Sequence, residues 1–150
     1  MKKLTLAAII IAVSVISCVS TNTADFSEVP DKNWKLVEVY INGRNTGFSR
    51  GSLSGSNADI YTLRFDTDMI SGTGAPNRYN APYTVGENKT ISIALVRSTL
   101  MAAIGELSSL REYDYFIYLQ NAYKWNIAND RLEINSKLEN GSEIRLVFSL

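Results

Sequence analysis

Short stretches of alternating polar and apolar residues, each ended by turn-forming residues, recur through this sequence. Residues 34–41 alternate in part and run into Asn42-Gly43, a dipeptide typical of two-residue β-hairpin turns. Asn140-Gly141 repeats that signal near the carboxyl end. The pattern therefore predicts seven or eight short strands joined as antiparallel hairpins. Beyond 34–41, strands are expected at about residues 60–65, 69–72, 83–85, 90–96, 123–127, 131–135 and 143–148.

The middle of the chain combines turn formers with the one predicted helical region. Gly72–Tyr83 places glycine, proline and asparagine between two extended segments, and a helical region is expected to open near Ser98. A helix is predicted over about Ser109–Asn121, because Ser109 and Glu112 have the spacing of a capping box before a broad apolar stripe. A sheet with one apolar face must bury it. The sequence thus predicts a mainly β (α+β) fold, a small antiparallel sheet that curls or forms a partial barrel with one helix against it.

The amino terminus has the features of a lipoprotein signal peptide. Lys2 and Lys3 precede the uncharged run 4–16, which is shorter than the roughly 20 residues that a membrane-spanning helix needs. Ser17-Cys18 closes a segment resembling the bacterial lipobox, and Cys18 is the only cysteine. We predict a signal peptide at 1–17, lipidation of Cys18, a tether at 18–33 and one domain at 34–150. An ordinary signal peptide with a chance cysteine, or an uncleaved anchor, is the alternative.

Charge and composition narrow the functional classes. The chain has 15 basic and 15 acidic residues, so loss of Lys2 and Lys3 with the signal peptide leaves a small acidic excess. The chain therefore lacks the surplus of basic residues that would indicate a nucleic-acid partner. The sequence has no histidine and no cysteine beyond Cys18, which removes Ser-His-Asp and Cys-His catalysis and zinc sites built on imidazole or thiolate. No cofactor and no metal are expected.

Several short motifs occur in a set order between Trp34 and Phe148. They are Trp34-Lys35-Leu36, Leu63-x-Phe65, Gly72-x-Gly74-x-x-Asn77-Arg78-Tyr79-x-x-x-Tyr83, Thr99-x-Met101-Ala102-Ala103, Glu112 with Tyr115, Tyr123-x-Trp125-x-Ile127, and Leu132-x-Ile134. Together they resemble the META domain, or HslJ-like, family (DUF306) of small bacterial envelope proteins. The resemblance implies a loose association with envelope stress and, in some members, with drug tolerance or secretion, but no settled biochemical activity. It also implies that Trp34, Gly72, Gly74, Thr99, Met101 and Glu112 are structural motif residues.

Two positions depart from that family pattern. Pro76 and Ala103 stand where the family often has cysteines, so both cysteines of the disulfide that the resemblance implies are absent here. Such a bridge contributes about 2–4 kcal/mol, which other interactions must supply here. If the alignment is correct, Pro76 and Ala103 lie near each other. Ala81 and Pro82 also replace the family's glycine region.

Some residues allow both a functional and a structural interpretation. Asn77, Arg78, Tyr79 and Tyr83 form a candidate interaction patch; alternatively, Asn77 bonds the turn while both tyrosines pack inward. Gly72 and Gly74 are expected to permit positive φ. Thr99 and Met101 are interpreted as core residues or residues at the start of the helix. Asp66 and Asp68 are interpreted as solvated turn formers, with a catalytic role as the alternative.

The leading functional prediction is a non-catalytic, lipid-anchored envelope protein. It would be attached to membrane lipid through acylated Cys18, in the outer membrane if the cell has one. Its domain would present a surface or groove to an envelope protein or a small apolar ligand. One alternative is an envelope hydrolase that uses carboxylates or a Ser/Lys pair. Another is a chaperone- or pilot-like protein that holds the apolar segment of a secreted protein.

Overall fold

The computed structural model describes residues 25–53, 58–101 and 109–150. Strands and one α-helix follow one another along these ranges, with single 3-10 turns at Phe26–Glu28, Arg50–Ser52 and Glu87–Lys89. The elements are β1 Trp34–Ile41, β2 Arg44–Asn45, β3 Thr62–Phe65, β4 Met69–Thr73, β5 Arg78–Val85, β6 Ile91–Ile93, β7 Arg97–Ser98, α1 Glu112–Gln120, β8 Ala122–Ala128, β9 Arg131–Lys137 and β10 Glu143–Ser149.

The strands form one antiparallel sheet that almost closes on itself. Its order is β6-β5-β4-β3-β1-β10-β9-β8, with β2 beside β1 and β7 beside β5. The two end strands meet through a bridge between Thr90 and Lys124. Nearby, Lys89 Nζ donates a hydrogen bond to Asn126 Oδ1 at 2.6 Å. The structure is therefore a nearly closed barrel with one helix, which confirms the predicted fold class.

Hairpins form at both Asn-Gly dipeptides, but only Asn42-Gly43 is a two-residue turn. At Asn140-Gly141 only Gly141 has positive φ (83°), and the loop 138–142 links the paired residues Lys137 and Glu143. Asn42 and Gly43 both have positive φ (50° and 77°), as do Asn129 and Asp130 (52° and 58°). Two successive positive φ values are the geometry of a type I′ turn, whose twist matches that of paired strands. β1 and the β8–β9–β10 meander follow their predicted ranges closely. Predicted strand 90–96 is shorter, since β6 covers only Ile91–Ile93.

The helix covers the barrel core but begins later than predicted. Tyr115 and Leu119, one turn apart on the same face, are fully buried. α1 starts at Glu112 with Arg111 as its N-cap residue, and no side chain bonds the cap. The predicted capping box with Ser109 is wrong, because the Glu112 carboxylate instead bonds the β4–β5 turn. The helical region expected from Ser98 is also corrected in part: Ser98 ends strand β7, and residues 102–108 lie outside the described ranges.

The folded part of the chain begins before Trp34, within the predicted tether. Val29 is fully buried, and its carbonyl accepts a hydrogen bond from Trp34 Nε1 at 2.9 Å. Asp31 N donates to the carbonyl of Phe65 at 3.0 Å. Residues 25–31 therefore form a strap across one end of the barrel. Cys18 and the other residues of the predicted tether before Asp25 lie outside the described ranges. Within the described ranges, no helix is long and apolar enough to cross a membrane.

Candidate functional site

Four of the six family-motif residues meet at the β4–β5 turn, where the Glu112 side chain binds three donors; the four are Gly74, Thr99, Met101 and Glu112. Its Oε1 accepts hydrogen bonds from the backbone N–H of Ala75 at 2.5 Å and of Asn77 at 2.6 Å. Its Oε2 accepts from Asn77 Nδ2 at 2.6 Å. A carboxylate is the strongest acceptor among side chains for such N–H groups. Glu112 therefore ties the start of α1 to this turn.

Asn77 extends the same network to the segment after β7. Its Oδ1 accepts hydrogen bonds from the Thr99 hydroxyl at 2.8 Å and from the Met101 backbone N–H at 2.7 Å. Its Nδ2 also donates to the Met101 carbonyl at 3.2 Å. Asn77 is only 5% exposed, so an unpaired amide here would be costly. We call Ala75, Asn77, Thr99, Met101 and Glu112 the Glu112 network.

The two motif glycines are required by close contacts rather than by backbone conformation. Neither Gly72 nor Gly74 has positive φ, so that expectation is wrong. A Cβ on Gly72 would lie 2.1 Å from the carbonyl oxygen of Thr62. A Cβ on Gly74 would lie 2.5 Å from Glu112 Oε1. Both distances are far inside van der Waals contact, so the strand and the carboxylate can approach only a residue without a side chain.

A pair of tyrosines fills the space beneath this network. Tyr79 Oη and Tyr115 Oη lie 3.1 Å apart, and both donate to the carbonyl of Thr62, at 2.7 and 3.2 Å. Both rings are almost fully buried. Burial raises the pKa of Tyr79 and of Tyr115 well above the usual value, because a phenolate would have to form without water. These hydroxyls hold a core together and are not exposed to a ligand.

The four residues of the candidate interaction patch do not form one surface. Asn77 and Tyr79 are 5% and 3% exposed, whereas Arg78 points into solvent. Tyr83 is half-buried, and its hydroxyl donates to the carbonyl of Asp66 at 2.8 Å. This arrangement corresponds to the structural interpretation of Asn77 and the tyrosines. Met101 also differs from expectation, since its side chain is 61% exposed and only its backbone joins the Glu112 network.

An open cleft lies at the other end of β3 and β5, beside the strap. It has a volume of about 580 Å³, within the range of small-molecule sites. Burial and the charges of the nearby aspartates raise the pKa of Tyr83, which indicates a negative potential at its hydroxyl. Its lining residues are Phe26, Pro30, Asp31, Asp66, Thr67, Asp68, Tyr83, Thr84 and Val85. We call it the strap cleft.

The carboxylates that could serve a hydrolase are divided between these two places. Asp66 and Asp68 line the strap cleft, whereas Glu112 is bound in the network at the β4–β5 turn. Asp66 accepts from Arg64 Nε at 3.0 Å, as a turn residue paired with its strand. Among the described residues, no group of acidic side chains is arranged to hold a metal ion. Within these ranges the candidate carboxylates therefore do not converge on one catalytic site.

Arg50 and Phe26 are important residues that sequence reasoning missed. The Arg50 guanidinium donates to the carbonyls of Leu36 at 2.7 Å, Ala58 at 2.6 Å, Ile60 and Tyr61. It thereby ties its own segment to strand β1 and to residues 58–61, and burial lowers its pKa. Its only sequence signal is a lone cation among glycines and serines. Phe26, an isolated aromatic residue in a polar stretch, packs into the barrel end.

The predicted contact between Pro76 and Ala103 involves a residue outside the described ranges. Pro76 lies in the β4–β5 turn after a cis peptide bond, but Ala103 lies outside the described ranges. That contact stays a prediction.

The fold and the Glu112 network define a small β-barrel domain in which one glutamate of a covering helix locks a turn between strands. The chain belongs to the META domain family, whose model matches residues 27–148. Its fold is similar to that of a protein from Burkholderia xenovorans solved by NMR, at 18% identity and a TM-score of 0.57, over 99% of this chain and 98% of that one.

A second solved structure shares the fold more distantly. It is a DUF4847 family protein from Bacteroides vulgatus ATCC 8482, at 12% identity and a TM-score of 0.50, with 81% of this chain and 94% of that chain covered. Comparison with curated proteins finds no significant match. At these identities the solved structures define the architecture alone.

Proposed function

We propose that this protein is a lipid-anchored, non-catalytic binding module of the bacterial cell envelope. The proposed anchor is supported by Cys18, the only cysteine, which stands at the end of a lipobox-like signal segment. The non-catalytic role is supported by one observation above all: the Glu112 carboxylate, the motif's only acidic group, has three N–H partners within 2.6 Å. A carboxylate engaged in this way holds the turn to the helix, which favours a structural role for Glu112.

The short tether favours action close to the membrane. Residues 19–24 separate Cys18 from the first described residue, Asp25, and an extended chain covers at most about 3.5 Å per residue. The strap then lies within roughly 25 Å of the lipid anchor. The strap cleft, which Phe26 and Asp31 help to line, is an open site of about 580 Å³ beside this strap. We propose that it receives an envelope protein or a small ligand beside the membrane.

The anchor is tested with Cys18→Ser in the cell of origin. Wild-type protein should incorporate labelled fatty acid and sediment with membranes, and it should be retained as a longer precursor when lipoprotein signal peptidase is inhibited. Cys18→Ser should lose the label and remain unprocessed at the lipobox. Labelling of the variant, or a wild type without label, would refute lipid anchoring.

Binding at the strap cleft is tested by cross-linked capture from envelope membranes. Thr84→Arg places a bulky cation on an exposed cleft residue, and Tyr123→Arg does the same in a separate depression of about 160 Å³. A specific partner held by wild type and Tyr123→Arg but lost with Thr84→Arg would support this site. Equal capture of the partner by all three proteins would show that the binding site lies elsewhere on the protein. Asp66→Asn with loss of a hydrolytic activity would favour the enzyme alternative.

A further inference from the structure

The strap places one phenylalanine in an aromatic pocket at the end of the barrel. The Phe26 ring lies 5.0 Å from Trp125, 5.5 Å from Phe65 and 5.9 Å from Tyr83, measured between ring centroids. The contacts with Trp125 and Phe65 are edge-to-face, the arrangement that aromatic rings favour. This pocket is therefore shaped for a ring, and a residue of the strap supplies one.

Among the described residues, the part of the strap that carries this ring has no hydrogen bond to the barrel. Within 25–28, Ser27 N bonds Asp25 Oδ1, and Glu28 N bonds the Asp25 carbonyl. Val29 N bonds the Phe26 carbonyl at 2.9 Å. Val29 itself is anchored, since it is fully buried and accepts a hydrogen bond from Trp34. Movement of 25–28 about Val29 thus breaks ring contacts but no hydrogen bond to β-strands.

The pocket also contains a polar group without a partner. Trp125 is 5% exposed, and its Nε1–H has no acceptor among the described residues. A buried donor left unsatisfied is rare and calls for a specific explanation. The Phe26 ring packed against this indole can offer only its π face, which is a weak acceptor. A ligand that replaced Phe26 and carried an oxygen or nitrogen acceptor would satisfy it.

The acidic residues at the rim of the pocket favour a ligand with a positive charge. Asp31, Asp66 and Asp68 line the adjoining strap cleft. Arg64 forms 3.0 Å ion pairs with Asp31 and Asp66, but Asp68 has no ion pair among the described residues. Lys89 Nζ lies 5.5 Å from the centroid of Trp125, so the pocket ring already accepts a cation at its face. Aromatic faces with nearby carboxylates bind organic cations.

We propose that the aromatic pocket and the strap cleft form one ligand site, that Phe26 is its exchangeable plug, and that the ligand is an organic cation with an aromatic or aliphatic body. The body replaces the Phe26 ring between Phe65, Tyr83 and Trp125. The cationic group lies at the rim, near Asp68. This inference rests on the proposed binding function and gives that function a ligand class.

Three probes of similar shape and different charge test the proposal: 2-phenylethylamine, 2-phenylethanol and 3-phenylpropanoate. They are titrated into the full-length protein in detergent, with its tryptophans labelled with ¹⁵N. The chain has two tryptophans, so the indole N–H of Trp34 reports the anchored end of the strap while that of Trp125 reports the pocket. We expect a saturable shift of the Trp125 signal, with the amine bound more tightly than the alcohol and the anion bound least. Partition into micelles would favour the neutral alcohol instead.

Two substitutions separate the plug from the rim. Phe26→Ala raises the open fraction of the pocket, so the apparent affinity for the amine should rise by about tenfold or more. Phe116→Ala, which removes another partly buried ring beside Tyr79, should leave that affinity unchanged. Asp68→Asn should weaken amine binding by about two- to fivefold, the effect of an exposed ion pair, and leave the alcohol unaffected.

Equal affinity for all three probes would overturn the proposal, because any new cavity accepts an apolar ring without regard to charge. So would the absence of a saturable Trp125 shift in both wild type and Phe26→Ala. If lipid labelling and partner capture succeed while the probes fail, the ligand class is wrong and the binding module stands. If the probes bind as expected while wild-type protein in the cell of origin carries no lipid label, the anchor is wrong and the ligand site stands.

Discussion

Replacing Glu112 with alanine removes one acceptor oxygen shared by two backbone N–H groups and a second oxygen that binds the Asn77 amide. Hydrogen bonds to a charged group contribute about 1.5–3 kcal/mol each when buried. The Glu112 side chain is only half-buried, and water can reach part of the vacated space, so we take about 1 kcal/mol for each bond. The expected loss is therefore about 3 kcal/mol, a large share of the roughly 5–15 kcal/mol that stabilises a typical domain.

Urea denaturation of wild type and Glu112→Ala measures this loss directly, with a fall of about 10 °C in Tm as the thermal counterpart. Glu139→Ala is the matched control, since Glu139 is exposed and forms no ion pair in the described structure; it should change stability by less than about 0.5 kcal/mol. Because Asn77 shares the network, Asn77→Ala and Glu112→Ala together should cost less than the sum of the single changes. Strict additivity, or a Glu112→Ala protein as stable as the control, would refute the reasoning.

Three further perturbations follow from the geometry. Gly72→Ala should lower stability by more than about 2 kcal/mol in the same assay, because its Cβ would clash with the carbonyl of Thr62. Gly51→Ala is the control and should be near neutral, since its Cβ would meet only an atom 3.7 Å away. Equal unfolding midpoints for the two variants would contradict this prediction. Arg50→Lys should cost about 1–2 kcal/mol, because an ammonium cannot reproduce the planar fork that binds several carbonyls, and an unchanged unfolding midpoint would argue against that role. Burial raises the pKa of Tyr115, so the folded state keeps a proton that the unfolded state loses above about pH 10, and stability should fall as pH rises beyond that value. Absorbance titration of the eight tyrosines should then show Tyr115 ionising only with unfolding; smooth ionisation in the folded protein would contradict its burial.

The strand pattern and the tight turns could be predicted from the sequence because both are local. Alternation with period two assigns one face of each strand to the core, as Leu132 and Ile134 show by their complete burial. Asn42-Gly43 and Asn129-Asp130 adopt positive φ, which asparagine, aspartate and glycine tolerate better than other residues, so that the residue types themselves indicate these turns. A sheet with one apolar face then had to curl around a core, which made the fold class predictable.

The candidate site was predicted less well, because its contacts join residues far apart in sequence. Glu112 had the spacing of a local cap, yet three N–H donors from the β4–β5 turn compete successfully for its carboxylate. Gly74 is explained by that same carboxylate, which lies 37 residues from Ala75 along the chain. No periodicity encodes such a contact.

Sequence alone thus predicted eight of the ten strands of the described residues in their order along the chain, several of the turns that join them, and the motifs that mark a META domain. Only the tertiary structure decided that Asn77 and Tyr79 are buried supports, that Phe26 fills the barrel end, and that the open site lies beside the strap. The physical reason is that backbone conformation and amphipathic faces depend on neighbours along the chain. Burial, hydrogen-bond partners and clefts depend instead on which distant segments the closing sheet brings together.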